Sequence, residues 1–580
     1  MDKLSRRSAA GLLAAAVPLW AQGVASRSVN PAPRGKPSGR PFHSRFTDVA
    51  RTAGLTHRTV YGNPATKTYL LETIGCGVAF IDYDNDGWLD IFVLNGTRLE
   101  GPTANTTNRL YRNNRDGTFT DVTDKAGLHR TGWAYGVCVG DYDNNGFEDL
   151  FVTSWGQNTL YRNNGDGTFT DVTKQAGLLD PVRHWCSGCT FLDYNRNGHL
   201  DLFVTSYVDF DPARVPKPGG ESYCNWKGVP VNCGPLGLPP GRSWLYRNNG
   251  DGTFTDVSES SGISKAKGSY GLTAIAADFD DDGWPDIYVA CDSTPSRLFR
   301  NHHDSTFTEV GLESGVALND DGREQAGMGV AAGDVHLSGR LDIFKTHFAD
   351  DTNVLYRNQG ALRFDDVTTA SGLAVEARYV GWGAGIVDLD NDGEPDIFFV
   401  TGHVYPEVEA KLPQYPYRTP AVTFRNLGGG RFEERLESAV HSSRGCAFGD
   451  FDNDGDVDVV VINLDEPPSL LRNDVTGGGH WLKVKLAGVK SNRSAIGARV
   501  TVRYAARRQV QEVLSQSSFL SANDLRLHFG LGAATTAALD VRWPNGDTES
   551  FPRINVDRLI TIREGAGIVS ETPLPGRRLK

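Results

Sequence analysis

Six segments of this 580-residue chain set oxygen-bearing side chains at alternate positions around a glycine, and a seventh keeps part of the pattern. The first, DYDNDGWLD, puts Asp82, Asp84, Asp86 and Asp90 at positions 1, 3, 5 and 9 of a nine-residue loop. The same positions hold Asp141, Asp143, Asn145 and Asp149, then Asp193, Asn195, Asn197 and Asp201, then Asp278, Asp280, Asp282 and Asp286. Two later copies supply Asp388, Asp390, Asp392 and Asp396, and Asp450, Asp452, Asp454 and Asp458. Carboxylates so spaced could trade protons, cage a metal ion or lie in water. Asparagine at positions 3 and 5 keeps an oxygen donor and destroys an acid or base, which excludes proton transfer. Four side-chain oxygens, a backbone carbonyl at position 7 and a glycine for the bend describe a flexible hard-oxygen cage, suited to calcium more than to magnesium. No soft ligand for zinc or copper is present. About six calcium ions are expected on this donor count. The copy from Asp334 has His336 and Ser338 at positions 3 and 5 and is expected to be an empty turn. A formal net charge of -12 agrees, since six divalent ions would offset it. That acidity reads as unfilled metal sites and disfavours a nucleic-acid partner.

The elements around the loops repeat with them. Loop starts are separated by 59, 52, 85, 56, 54 and 62 residues, a period that points to a propeller or an array. GVAFID enters the first loop and DIFVLN leaves it; RLYRNN, an Asp-Gly turn and TFTDVT follow. Asp-Gly between alternating residues is a hairpin signal, so each repeat reads as four antiparallel strands. The seventh repeat lacks its TFTDVT, and RFTDVARTAGL from Arg45 supplies one at the other terminus. The expected fold class is therefore all-β: a seven-bladed β-propeller closed by the N-terminal strand, over residues 45–475, plus a small C-terminal β domain over 476–566. Closure would leave no sheet edge bare.

Residues 1–25 read as an export signal. Lys3, Arg6 and Arg7 precede a weakly apolar run from Ala9 to Ala21, too short to span a bilayer. Ser5-Arg6-Arg7 is twin-arginine-like, with an ordinary secretory signal as the alternative. The mature chain is expected to be exported, periplasmic or extracellular, without an integral membrane segment. Residues 26–44 read as a disordered linker and 567–580 as a flexible tail.

The loops and LYRNNGDGTFTDVT resemble the FG-GAP/VCBS repeats of calcium-binding propellers. HWLKVKLAGVKSNRSAIGARVTV from His480, LRLHFGLG from Leu525 and VRWPNGDTESF from Val541 resemble the ASPIC/UnbV domain. The combination is similar to the cartilage acidic protein family and its bacterial relatives. The resemblance implies calcium binding and extracellular interaction more than a defined reaction.

Partner contacts are expected on the face opposite the acidic loops, because loop length varies only there. One insertion, between Ser206 and Trp244, holds Cys224 and Cys233, an expected disulfide in an exported protein. Five residues past each loop stand Asn95, Ser154, Ser206, Cys291, His347, Thr401 and Asn463, expected to ring a central opening. With Trp155, Tyr207, Asp292 and His403 nearby, that ring reads as a contact for an extracellular glycan or protein. The alternative is a calcium-dependent, lyase-like polysaccharide enzyme using His347, His403 and Glu407. Cys76, Cys138, Cys189 and Cys446 read as buried free thiols, and the Cys186-Cys189 pair has no haem-attachment histidine after it.

Overall fold

The computed structural model describes residues 29–574 apart from 102, 104 and 105. The expected export signal lies outside the described residues, as does the end of the expected tail.

The fold is all-β and propeller-like. Residues 78–121 form an antiparallel four-stranded sheet in chain order, and so do 271–309, 330–366 and 381–441. The second and third units, 134–171 and 184–256, join into one eight-stranded sheet where His184 and Trp185 pair with Gly156 and Trp155. In the seventh unit, strands 443–449, 458–463 and 469–473 are completed from the other terminus. Phe46, Thr47 and Asp48 pair with Asn473, Arg472 and Leu471. The permutation read from RFTDV is thus present as a register.

First strands of successive units lie side by side: 78–81 against 134–140, then 184–192, 271–277, 330–333, 381–387 and 443–449, which returns to 78–81. A side chain at Gly445 would meet the Cys76 carbonyl at 2.6 Å, so the seventh and first units can approach only where one lacks a Cβ. Apolar residues of the strands within each unit fill the spaces between units. Phe203, Ile287, Val289 and Phe299, all buried, belong to one such cluster across the third and fourth units.

The C-terminal part pairs strands 480–487, 527–532, 558–563 and 567–573 in one sheet and 499–504, 507–512, 536–542 and 548–555 in another. Leu482, Phe529, Val500 and Val541 are among the buried residues of their common core. Gly567–Pro573, expected within a flexible tail, is a strand antiparallel to Arg558–Arg563, because the edge of that sheet offers it unpaired backbone. Residues 29–44 depart from expectation too. Their polar composition hides specific partners: Arg34 pairs with Glu376 and Glu434 at 3.0 and 2.6 Å, and Ser38 donates to Glu433. They run as an ordered strap that ends with the His43 amide on Asp390, 3.2 Å away.

Candidate metal loops and the opposite face

All seven acidic segments have one backbone shape. Position 4 is left-handed in each (Asn85, Asn144, Arg196, Asp281, Leu337, Asn391, Asn453), with φ between 52° and 66°. The glycine at position 6 is left-handed as well, with φ between 81° at Gly339 and 95° at Gly146. Asparagine and aspartate tolerate this region, and glycine enters it without strain, which explains both preferences. The bend turns the amides of positions 5 and 6 onto the position-1 carboxylate. Asn145 and Gly146 donate to Asp141 at 2.9 and 2.7 Å, and Asp454 and Gly455 both donate to Asp450 at 3.0 Å.

Position 9 is fixed from the third strand. The Asn113 amide donates to Asp90 at 2.8 Å, and Asn163, Asn248, Asn301, Asn358, Asn426 and Asn473 do the same for Asp149, Asp201, Asp286, Asp342, Asp396 and Asp458. The side chains of these asparagines reach further. Each Nδ2 donates to the position-2 carbonyl of the preceding unit, from Asn163 on Tyr83 to Asn473 on Leu389. Asn113 reaches Phe451 of the seventh unit at 2.9 Å. Sequence reading noticed LYRN as a repeat and missed that its asparagine bolts neighbouring units together. Its presence in every repeat, where strand propensity disfavours it, was the available signal.

The donor set fits a hard cation. Among the described residues, five clusters bring three acidic oxygens within 4.8 Å of one another: Asp82/84/86, Asp141/143/149, Asp278/280/282, Asp388/390/396 and Asp450/452/458. One oxygen each of Asp84, Asp280, Asp390 and Asp452, all at position 3, is buried without a hydrogen-bond donor, as is one of Asp201. A buried acceptor left unpaired is costly, and an oxygen-coordinated cation is the partner that removes the cost. Burial pushes the Asp90 and Asp454 carboxyls up to about 9 and Asp141 up to about 7, with like charges nearby adding to it. Several buried Asp clusters can therefore hold metal ions. The loop from Asp334 is arranged differently: the His336 ring sits at position 3 with Nδ1 2.6 Å from Asp342, placing a protonatable group where its counterparts carry a carboxylate.

The opposite face is closed rather than open. Asn95, Ser154, Ser206, Cys291, His347, Thr401 and Asn463 are all buried. The expected ring lies beneath the insertion, which was read as a presented loop and is instead a lid. Cys224 and Cys233 are disulfide-bonded, and strands 224–226 and 229–231 make a hairpin across the fold. Trp226 stands 5.0 Å from His403, 4.9 Å from Tyr415 and 6.2 Å from Phe348, ring to ring. Among the expected partner residues, Tyr207, His347 and His403 are buried, while Trp155 and Asp292 are half-buried. Tyr207 donates its hydroxyl to Asp292, and Arg183 covers the Trp155 ring at 4.7 Å. Burial pushes His403 down to about 3, and Glu407 is half-buried, so the histidines nominated for a lyase do not face a cleft. Cys76, Cys138, Cys186, Cys189, Cys291 and Cys446 are buried free thiols.

This architecture defines a protein of acidic-loop β repeats joined to a C-terminal β domain, and family comparison agrees. The FG-GAP-like repeat model matches residues 82–152, 141–204, 236–289 and 278–345, and the ASPIC and UnbV model matches 488–569. The chain thus carries FG-GAP-like repeats and a C-terminal ASPIC and UnbV domain. It is 26% identical over 303 residues to cartilage acidic protein 1 of Homo sapiens, covering 50% of this chain and 43% of the relative. It is also 26% identical over 311 residues to cartilage acidic protein 1 of Xenopus tropicalis, covering 50% of this chain and 44% of that one. The matched region thus spans less than half the length of these relatives. A solved structure of BBS1N in complex with ARL6DN aligns over 72% of this chain and 97% of its own, at 10% identity and a TM-score of 0.39, too low to carry an argument. No helix among the described residues is long and apolar enough to cross a membrane.

Proposed function

We propose that the protein is an exported calcium-binding scaffold: a seven-bladed β-propeller over residues 45–475, closed by the strand at Phe46–Asp48, with a C-terminal domain on its loop face. It would present the lid-bearing face to an extracellular glycan or protein. The bolt from Asn113 to the Phe451 carbonyl supports the closed ring, because it joins the first unit to the last. The observation that carries the calcium reading is the row of buried, donorless oxygens at Asp84, Asp280, Asp390 and Asp452. Each of the six loops named above would place its four side chains on one ion, with about six ions in all. The Cys224–Cys233 disulfide fits an oxidising compartment. Residues 213–214 and 217–222 of the lid are exposed, as are Leu179 and Val182 near Trp155, which leaves that face available to a macromolecule.

The test is a glycan and matrix-protein array probed with and without calcium, with the same polymers assayed for cleavage. Calcium-dependent binding without cleavage is the expected result. New reducing ends would replace the scaffold reading with the enzyme, and binding that ignores bound ion would separate the metal from recognition.

A further inference from the structure

The C-terminal domain does more than follow the repeats in sequence. It touches every acidic loop: Arg526 donates to the Gly87 carbonyl, Arg493 to Asn144, Arg499 to the carbonyls of Asp278 and Gly339, and Tyr504 to that of Gly393. The Lys490 carbonyl lies against Gly198, and Lys483 reaches Asp450. Between strands 507–512 and 527–532 the chain runs inward along the axis. Gln516, Ser518, Phe519, Leu520 and Ser521 are each 0% exposed. There they bond the first strands of six units: Val78 to Ala522 and Ser521, Val137 to Leu520, Cys189 to Gln516, Val330 and Ala384 to Ser518, and Phe448 to Asp524. A side chain on Gly77 would fall 1.7 Å from the Leu520 carbonyl, so the plug and that glycine are fitted to each other.

The charges of this cap follow the composition of the loops beneath it. Three loops with aspartate at positions 1, 3, 5 and 9 receive a cap cation on the position-1 carboxylate. Lys485 lies 3.6 Å from Asp82, Lys483 lies 2.8 Å from Asp450, and Arg542 pairs with Asp278. A second cation comes from the loop's own unit, with Arg115 2.7 Å from Asp86 and Arg300 3.6 Å from Asp280. The fourth all-aspartate loop has Arg425 3.7 Å from Asp392, and the cap adds Arg507 on neighbouring Glu394 at 2.9 Å. The loop from Asp141, with asparagine at position 5, meets a neutral Ser494 hydroxyl. The loop from Asp193 has two carboxylates, carries its own cation in Arg196 and has the Lys490 carbonyl against Gly198. Among the described residues neither of these two has a salt bridge to the cap. Four carboxylates around a divalent ion keep two negative charges, and two carboxylates keep none. The cap therefore places a cation on or beside the loops that would keep two negative charges when loaded, and pairs none with the Asp141 loop, which would keep one, or with the Asp193 loop, which would keep none.

We propose that the C-terminal domain is matched to ion-loaded loops, so that ion binding and docking of this domain form one coupled equilibrium. The inference rests on the calcium reading above. In each empty all-aspartate loop the carboxylates outnumber the cations paired with them inside a buried interface, where unbalanced charge is expensive. Loading balances it and holds the carbonyls the cap binds; by reciprocity, docking must then raise ion affinity.

Thiols under the plug report its position. Cys189 lies beneath Gln516 and Cys446 lies 3.3 Å from the Ser518 hydroxyl, both fully buried, whereas Cys291 is equally buried in the fourth unit, away from these contacts. The full chain is labelled with maleimide in calcium or excess chelator, site by site by mass spectrometry, with bound metal measured in parallel. Chelation should speed labelling of Cys189 and Cys446 on the order of tenfold or more, leaving Cys291 protected. Lys485→Met, at a partly exposed site that folding should tolerate, should raise the calcium concentration needed for protection. Ions that leave while Cys446 stays protected would overturn the coupling alone. Parallel labelling of all three thiols would overturn it in favour of global unfolding, and a chain that binds no ion would remove the calcium reading as well.

Discussion

Trp226→Ala tests whether the inserted hairpin is a seated lid. The indole is 2% exposed, touches three aromatic rings within 6.2 Å and has the Lys227 ammonium 5.5 Å from its centre. Truncating a buried tryptophan to alanine costs about 3–5 kcal/mol, combining lost transfer energy with the cavity left behind. The Cys224–Cys233 bond keeps the hairpin closed on itself, so the cost should appear as detachment of the lid and not as unfolding of the repeats. Taking about 3 kcal/mol, local opening becomes roughly 150-fold more frequent, since each 1.4 kcal/mol is a factor of ten. Amide hydrogen exchange reads this directly. The Asp209 and Gly241 amides, which donate to Pro239 and Tyr207 at the base of the insertion, should exchange faster by about that factor. The Asn113 amide on Asp90 should keep its protection. Acceleration of less than about tenfold would show that the aromatic cluster does not hold the insertion, and the lid would revert to a presented loop.

Loop chemistry, closure and pH give three further expectations. Asp390→Ala should cost one ion by elemental analysis and lower the melting temperature only when calcium is present, while His336→Asp with Ser338→Asp should add an ion; an unchanged count in both would remove the cage assignment. Deleting residues 1–28 should leave melting unchanged, whereas deleting 1–55 removes the Phe46–Asp48 strand and buried Leu55, itself worth about 2 kcal/mol, and should yield aggregates. Equal solubility of the two truncations by size-exclusion chromatography would contradict closure. His403 is pushed down to about 3 by burial, against about 6.5 in an unfolded chain, so the unfolded state alone takes up a proton between these values. Stability associated with this site is complete above pH 6.5 and declines toward pH 3, a slope that His403→Gln should flatten in denaturant titrations.

What could be read from the sequence was whatever repeats. Seven copies of one loop make the role of Gly87 or Asp90 visible without an alignment, and the displaced RFTDV betrays the strand that pairs with Asn473. Residues that act once leave no such trace. SQSSFLSAND, residues 515–524, has the composition of a surface loop, yet it is buried because edges of six first strands supply its hydrogen bonds. Asn95 and His347 are expected at an open rim, but the Arg58 and Thr107 carbonyls take up the Asn95 amide and Trp226, far away in sequence, packs on Phe348 next to His347. The strap at Arg34 was hidden for a related reason: composition predicts disorder from the lack of apolar burial, and ion pairs with Glu376 and Glu434 are not a property of composition.

The two ends of the axis now constrain where recognition can occur. At the loop end the plug around Phe519 packs on Trp382, with ring centres 5.0 Å apart. Over the Trp382 ring lies the Arg444 guanidinium at 4.1 Å, fully buried and bonded to the carbonyls of Thr73 and Ser443. Beyond it come His403, Phe348 and Trp226 of the lid. A chain of packed side chains thus links the C-terminal domain to the disulfide loop, beside a small cavity lined by Tyr207, Pro235, Asp292, Phe348, Trp382 and Tyr405. A macromolecule can use the exposed outer side of the lid without displacing the aromatic rings buried beneath it. Lid and plug meet the same first-strand framework, so a partner that requires a seated lid also requires the geometry the loops maintain. Recognition at a surface would then depend on calcium bound at the far end without any contact between ion and partner.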